Sequence, residues 1–260
     1  MSNSILYFRT DLELEKEYNI ANKYFKVVQQ RTELEEGFVV IPRYSALPFY
    51  KELEKDVHNM GCRLINDFRS FNWIANFEYY GVLKSKTFKT YFSLNELPDI
   101  PVIVKGKTNS RKHQWNTHFF ANNKKEAIEI FCELKQDSLI GNQDIIFREY
   151  VPLKTFEELI NGLKVANEFR FFFFKDIELC HGYYWSQAKD VNKKCSDDGI
   201  RFAHEIANIV QDYNSFFVID IAEKADGGWV MVELNSGEMS GLSMCDPEEL
   251  YLNLKRNTEF

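Results

Sequence analysis

The chain is short of residues that interrupt regular structure: six prolines and twelve glycines in 260 positions, with no Pro/Gly linker, internal repeat or low-complexity tract. Regular elements are therefore expected to occupy most of it. No run approaches the ~18–20 consecutive apolar residues of a membrane span. The longest aromatic run, Phe171-Phe172-Phe173-Phe174, is flanked by Arg170 and Lys175. The opening MSNSILYFRT carries neither a basic nor an apolar signal region, so no secretory leader is expected. Cysteine is sparse and odd in number: Cys62, Cys132, Cys180, Cys195 and Cys245, without C-x-x-C spacing. That excludes a disulfide framework and predicts reduced thiols in a cytoplasmic protein. A basic surplus is missing too. The net charge of −7 argues against extensive nucleic-acid binding. Common catalytic signatures are absent: no G-x-G-x-x-G, no G-x-S-x-G, and no P-loop, because the first glycine that Gly106-Lys107-Thr108 would need falls on Pro101. His113 and His118 lie five apart, off the spacing of a helical zinc pair.

What is present is a globular composition, 45% apolar and 27% charged, in a length that suits one large domain or two small ones. Strand–helix–strand alternation marks the first part. Strands are expected at 4–9, 38–41 and 62–65. Helices are expected at 11–30, with Leu14, Tyr18, Ala21 and Phe25 on one face, and at 49–60, stopped by Gly61. This pattern predicts a small parallel sheet with crossover helices. From about residue 80 the pattern changes. A basic, helix-like stretch (84–98) precedes the strand PVIVK (101–105), a polar loop GKTNSRKHQWN and a short strand at 117–120. A helix capped by Asn122 or Asn123 follows, then a strand at 144–151, a hairpin of 167–175 and 178–185, and a helix from Ser196 to Val210. Strands at 216–223 and 229–234 surround Ala225-Asp226-Gly227-Gly228. The expected fold class is α/β followed by largely antiparallel α+β, with domains at 1–80 and 81–260.

Charge is segregated in the second part. Residues 84–112 hold seven cations (Lys84, Lys86, Lys89, Lys105, Lys107, Arg111, Lys112) against Glu96 and Asp99. Residues 220–249 hold eight acids against Lys224. Brought together, one side suits a polyphosphate and the other a divalent cation; held apart, both are solvated faces. The segment VIDIAEKADGGWVMVELN is the sharpest feature. Asp-Gly between apolar runs signals a hairpin, and a turn centred between Asp226 and Gly227 sets Asp220 directly opposite Glu233. Asn235 returns to the same face. Two opposed carboxylates in apolar strands repel and resist desolvation, which a bound cation relieves. An all-oxygen set of Asp, Glu and Asn suits Mg²⁺ or Mn²⁺. The alternative is a solvent-facing stripe on a surface hairpin.

Basic groups on strands add to this. Lys105 ends PVIVK, Arg148 sits inside DIIFREYV, and Arg170 shares a face of NEFRFFFF with Glu168. Such groups between apolar neighbours need an anion. That anion is either a ligand or an internal partner, for Arg170 either Asp220 or Glu233. Tyr183, Tyr184 and Trp185 are either a stacking platform or a half-buried strand end.

With these residues in view, the chain resembles the ATP-grasp superfamily of carboxylate–amine ligases, in particular the small clade named for two arginines and one lysine. The resemblance covers residues 80–242 in motif order, and VIPRYSALPFY is similar to the N-terminal domain of that clade. It implies two α+β lobes sandwiching ATP after a small α/β domain. It implies that Lys105 holds the α- and β-phosphates, that the backbone of Glu149, Tyr150 and Val151 beside Arg148 pairs with adenine, and that Glu168 contacts ribose. By the same resemblance Arg170 binds a phosphate or intermediate, and Asp220, Glu233 and Asn235 hold Mg²⁺. Lys84 or Lys86 stands where an earlier nucleotide-site lysine is expected. The phosphate loop departs from the family pattern in having only Gly106; Lys107, Asn109, Ser110 and Arg111 are its side-chain donors. Arg43, Tyr44 and Ser45, beyond the strand at 38–41, are candidates for the substrate carboxylate. Arg43 paired with an acid of its own domain is the competing possibility.

The implied activity is ATP- and magnesium-dependent amide formation through an acylphosphate, with ATP and unknown carboxylate and amine partners (small molecule, peptide or protein) and no membrane. The rivals are an ATP-grasp-like kinase and a non-catalytic nucleotide-binding module.

Overall fold

A computed structural model describes residues 4–8, 15–159 and 162–258. β1 (Ser4–Phe8), α1 (Glu15–Ala21), β2 (Lys26–Val28), β3 (Val39–Arg43), α2 (Tyr50–Asn59) and β4 (Arg63–Leu64) build a four-stranded sheet in the order β2-β1-β3-β4. All its pairings are parallel, as the strand–helix alternation predicts. The helix expected over 11–30 is shorter. It ends at Ala21, and the β-branched pair Val27-Val28 joins the sheet beside β1 instead. Arg9 and the helical start at 11–14 lie outside the described residues. β3 runs on through Pro42 and Arg43, two residues past the strand expected at 38–41. Pro42 is tolerated because β4 pairs only with Val39 and Val40, so no second strand needs its missing N–H. Gly61, at φ 71°, takes the left-handed conformation beyond α2.

α3 (Phe68–Ala75) and α4 (Tyr80–Leu83) lead to β5 (Thr90–Tyr91), β6 (Val102–Gly106), β7 (Phe120–Ala121), α5 (Lys124–Leu134) and β8 (Ile145–Glu149). These strands form an antiparallel sheet in the order β5-β8-β6-β7. The basic stretch 84–98 is not helical. Thr90 and Tyr91 pair with β8, and the Thr87 hydroxyl donates to the Met231 carbonyl at 2.8 Å, so sheet contacts override the helical pattern. The strand expected at 117–120 is a wide π-type turn over Trp115–Phe119, with β7 only after it. Asn123 caps α5 by accepting from the Glu126 N–H at 3.0 Å.

A small antiparallel pair, β9 (Thr155–Glu158) and β10 (Lys164–Ala166), precedes β11 (Glu168–Phe174), β12 (Ile177–Tyr183), α6 (Asp197–Val210), β13 (Phe216–Glu223), β14 (Trp229–Ser236) and α7 (Pro247–Thr258). The last four strands form an antiparallel sheet in the order β12-β11-β13-β14. Both its faces are covered, which is why the four consecutive phenylalanines of β11 are all buried. Phe169, Phe171 and Phe173 pack with α6 and with Ile74, Phe77 and Leu83. Phe172 and Phe174 pack with Leu6, Phe8 and Ile41 of the parallel sheet and with Leu250 and Leu254 of α7. Among the described residues no helix is long and apolar enough to cross a membrane.

Candidate nucleotide and metal site

The two antiparallel sheets enclose a cleft of about 160 Å³. One wall carries Ile103 and Lys105 of β6 and Arg148 and Glu149 of β8. The other carries Glu168 of β11, Tyr184 and Trp185 beyond β12, and Val232 and Glu233 of β14. Lys164 and Ala166 of β10 close one end, and Ser110, Lys112, Trp115 and Phe119 of the loop after β6 line the mouth. The sequence-derived candidates Lys105, Arg148, Glu149, Tyr150, Val151, Glu168 and Glu233 all line this one space.

Asp220 pairs with Glu233 across β13 and β14, the register expected from the sequence. The turn is centred on Asp226 rather than between Asp226 and Gly227. The strands resume pairing at Glu223 and Trp229, with Gly227 and Gly228 both at positive φ. Val232 is an extra residue bulged out of β14, since Asp220 faces Glu233 but Ile221 faces Met231. The bulge turns the Val232 carbonyl toward the Arg148 guanidinium, which donates to it.

Each carboxylate already has a cation. Asp220, 1% exposed, accepts from Arg170 Nε at 2.8 Å and Nη2 at 2.7 Å, the internal pairing weighed against ligand binding. Glu233 is paired with Lys105 and accepts from Asn235 Nδ2 at 3.1 Å. Burial opposes the Glu233 charge, but the Lys105 ammonium outweighs it and holds this carboxyl down to about 2. At Glu168 the charges of Lys112 and Arg170 compensate only in part. Burial first, then the Asp220 charge, push it up to about 8.

Arg148 lies between the rings of Phe77 and Phe88, 5.7 and 4.8 Å from their centroids. Its Nη2 donates to the Thr87 hydroxyl at 2.6 Å, while Nε is buried with no hydrogen-bond partner. In the expected hinge, the Glu149 and Tyr150 N–H groups bond the carbonyls of Lys89 and Pro101 at 2.8 and 3.0 Å.

Other candidates are placed elsewhere. Lys84 is exposed, and Lys86 pairs with Glu205 at 2.6 Å over the Phe202 ring, so neither reaches the cleft. Lys107 is held by Asp144 at 2.8 Å and Arg111 by Asp137 at 2.7 and 2.8 Å, and neither lines the cleft. Arg43 is buried and turned inward. It pairs with Glu17 at 2.6 Å and donates to the carbonyls of Gly237 and of Ser240, the latter at 3.0 Å. Its partner is thus an acid of the N-terminal segment, Glu17 of α1. Tyr44 packs edge-on against Tyr7, and Ser45 is exposed. Sequence reasoning missed Lys164, Trp115 and Phe119 as cleft residues. Lys112 carried a signal as one of the seven cations of 84–112, and Tyr184-Trp185 as aromatics at a strand end.

The family model for the ATP-grasp domain of the clade named for two arginines and one lysine, the third family of that clade, matches residues 93–254, and the chain belongs to that family. Its fold is similar to that of the D-cycloserine synthetase DcsG, at TM-score 0.63 and 12% identity over 100% of both chains. It is similar at the same TM-score and identity, again over 100% of both chains, to a RimK domain ATP-grasp protein from Sphaerobacter thermophilus DSM 20745. The ATP-grasp ligase PsnB, complexed with minimal precursor, Mg and ADP, matches at TM-score 0.58 and 11% identity over 99% of this chain and 98% of that one. No curated protein sequence matches the chain.

Proposed function

We propose that the protein is an ATP- and magnesium-dependent ligase that activates a carboxylate as an acylphosphate and joins it to an amine. One observation carries this reading: in a chain of the ATP-grasp family, the cations Lys105, Lys112, Arg148 and Lys164 and the acids Glu168 and Glu233 line one cleft between two sheets. In this reading Lys105 contacts the α- and β-phosphates, Glu168 the ribose, and the chain beyond Tyr150, at Val151, the base. Arg170 stabilises the charge of the transferred phosphoryl group. The carboxylate oxygen attacks the γ-phosphorus and ADP leaves. The amine nitrogen then attacks the acyl carbon, loses a proton and expels orthophosphate.

The donor chemistry suits magnesium: Asp220, Glu233 and Asn235 offer oxygens on adjoining strands, the two acids being paired with Arg170 and Lys105 in the structure as it stands. Mg²⁺ is usually held by one or two carboxylates plus substrate phosphates and water. Bound there, it would neutralise phosphate charge.

We also propose a boundary near residue 80 between the N-terminal α/β domain and the ATP-grasp domain, and a cytoplasmic setting, in keeping with five free cysteines. The acceptor is a small molecule, peptide or protein. Titration calorimetry with ATP, with and without Mg²⁺, tests the reading, followed by product analysis with panels of acids and amines. ADP plus orthophosphate supports the ligase. ADP plus a stable phosphorylated product points to a kinase, and absence of nucleotide binding overturns both.

A further inference from the structure

The loop after β6 carries three cations in six residues, and they face different ways. Lys107 and Arg111 anchor the loop to Asp144 and Asp137. Thr108 adds a hydroxyl bond to Gln143 at 3.0 Å. Gly106 is packed so closely that a Cβ there would stand 2.5 Å from Gln143 Oε1, so the loop's one glycine serves tight packing at its root. Lys112 turns inward instead. It lines the cleft with Lys105, and its Nζ stands 4.5 Å from the Tyr184 ring centroid and 5.4 Å from that of Trp185. Its hydrogen bond goes to the Tyr184 hydroxyl, a neutral group. Arg170 meets the same ring: its Cζ lies 4.9 Å from the Tyr184 centroid while its guanidinium holds Asp220. Tyr184 therefore joins the loop's inward cation to the carboxylate hairpin.

Lys105 and Arg170 touch carboxylates directly, whereas Lys112 hydrogen-bonds a phenol and feels the charges of Glu168 and Glu233 only beyond ion-pair contact. An ammonium drawn into a cleft against aromatic rings calls for an anion, and the anion of a nucleotide cleft is a phosphate. Resting on the function proposed above, we propose that Lys112 is the group through which this glycine-poor loop holds the terminal phosphate of the nucleoside triphosphate, with Tyr184 as the positioning residue that keeps its ammonium in the cleft. A lysine side chain then replaces the row of backbone N–H groups that a glycine-rich loop would present.

The test is calorimetric titration of the full chain, in Mg²⁺, with AMP, ADP and the non-hydrolysable triphosphate AMPPNP. Lys112→Ala is expected to weaken AMPPNP binding about tenfold or more, as loss of a charge-assisted contact does, while AMP affinity stays within about twofold. AMP binding also verifies that the variant is folded. Tyr184→Phe, which keeps the ring and removes the hydroxyl, is expected to lower the AMPPNP-to-AMP affinity ratio in the same direction by a smaller factor. Equal loss of AMP and AMPPNP in Lys112→Ala, or loss of neither, overturns the assignment alone. A wild-type protein that binds none of the three overturns the proposed function and this assignment with it.

Discussion

Arg170 grips Asp220 through two parallel hydrogen bonds, Nε to Oδ1 at 2.8 Å and Nη2 to Oδ2 at 2.7 Å, with both side chains buried. The acidic hairpin is thus charge-balanced within the protein, Asp220 by Arg170 and Glu233 by Lys105. The same four side chains carry both fold stability and the proposed chemistry, so a substitution at any of them acts on both.

Asp220→Ala leaves a buried guanidinium with one carbonyl partner, Gly241, and no counter-charge. Removing one member of a buried pair costs about 3–5 kcal/mol, so a large fall in the urea midpoint is expected. Arg170→Met in the same chain should recover much of it, because both charges then leave together. A single variant as stable as the wild type would show that the pair is not structural.

Lys105 and Glu233 should separate by metal dependence. Lys105→Ala removes a charge that acts on the phosphates directly, so nucleotide affinity falls with or without Mg²⁺. Glu233→Ala is expected to abolish turnover and to weaken binding mainly when Mg²⁺ is present. Calorimetry under both conditions checks this. Near-normal turnover in Glu233→Ala would remove this carboxylate from the site.

Arg43 ties three parts of the chain together: Glu17 of α1, Tyr251 of α7 at 3.2 Å, and the carbonyls of Gly237 and Ser240 after β14. Arg43→Ala is expected to lower stability by about 3–5 kcal/mol, since Glu17 stays buried without its partner. Arg43→Lys should recover only part of this, because an ammonium cannot reproduce the planar fork. Denaturant unfolding of both variants measures it.

Glu238 supplies one part of the pH dependence. It is 1% exposed, accepts from Tyr50 at 3.0 Å and Asn66 at 2.8 Å, and leaves Oε2 without a partner. Burial pushes its carboxyl up from 4.5 to about 7, against the opposing pull of those hydrogen bonds and of Arg43. Between those two values the unfolded chain is ionised and the folded one still protonated. The Glu238 contribution to stability therefore falls as pH rises across this window and levels off above it, by up to about 3 kcal/mol, and Glu168, pushed up to about 8, adds a fall of the same sign. Glu238→Gln should flatten that slope and raise the melting temperature more at pH 8 than at pH 5. An unchanged difference between the two pH values would locate the effect elsewhere.

The local grammar of the chain by itself determined the parallel sheet at the start, the start of α5 at Asn122 or Asn123 and of α6 at Ser196, and the facing of Asp220 and Glu233. Periodicity, capping chemistry and strand alternation act over a few residues, so they are legible without the fold. Only tertiary structure decided that Thr87, Thr90 and Tyr91 pair with strands in a stretch, 84–98, whose pattern reads as helix. It also decided that one extra residue, Val232, would bulge and preserve the register despite a longer turn. The partners of the cations were equally beyond the sequence. Lys105 meets an acid 128 positions away and Lys112 a tyrosine 72 away, while Lys107 and Arg111, beside them in the chain, point to other acids. A side chain's charge is written in its residue type. The counter-charge it finds depends on which distant strand folding brings within about 3 Å, and that distance exists only once both sheets are packed.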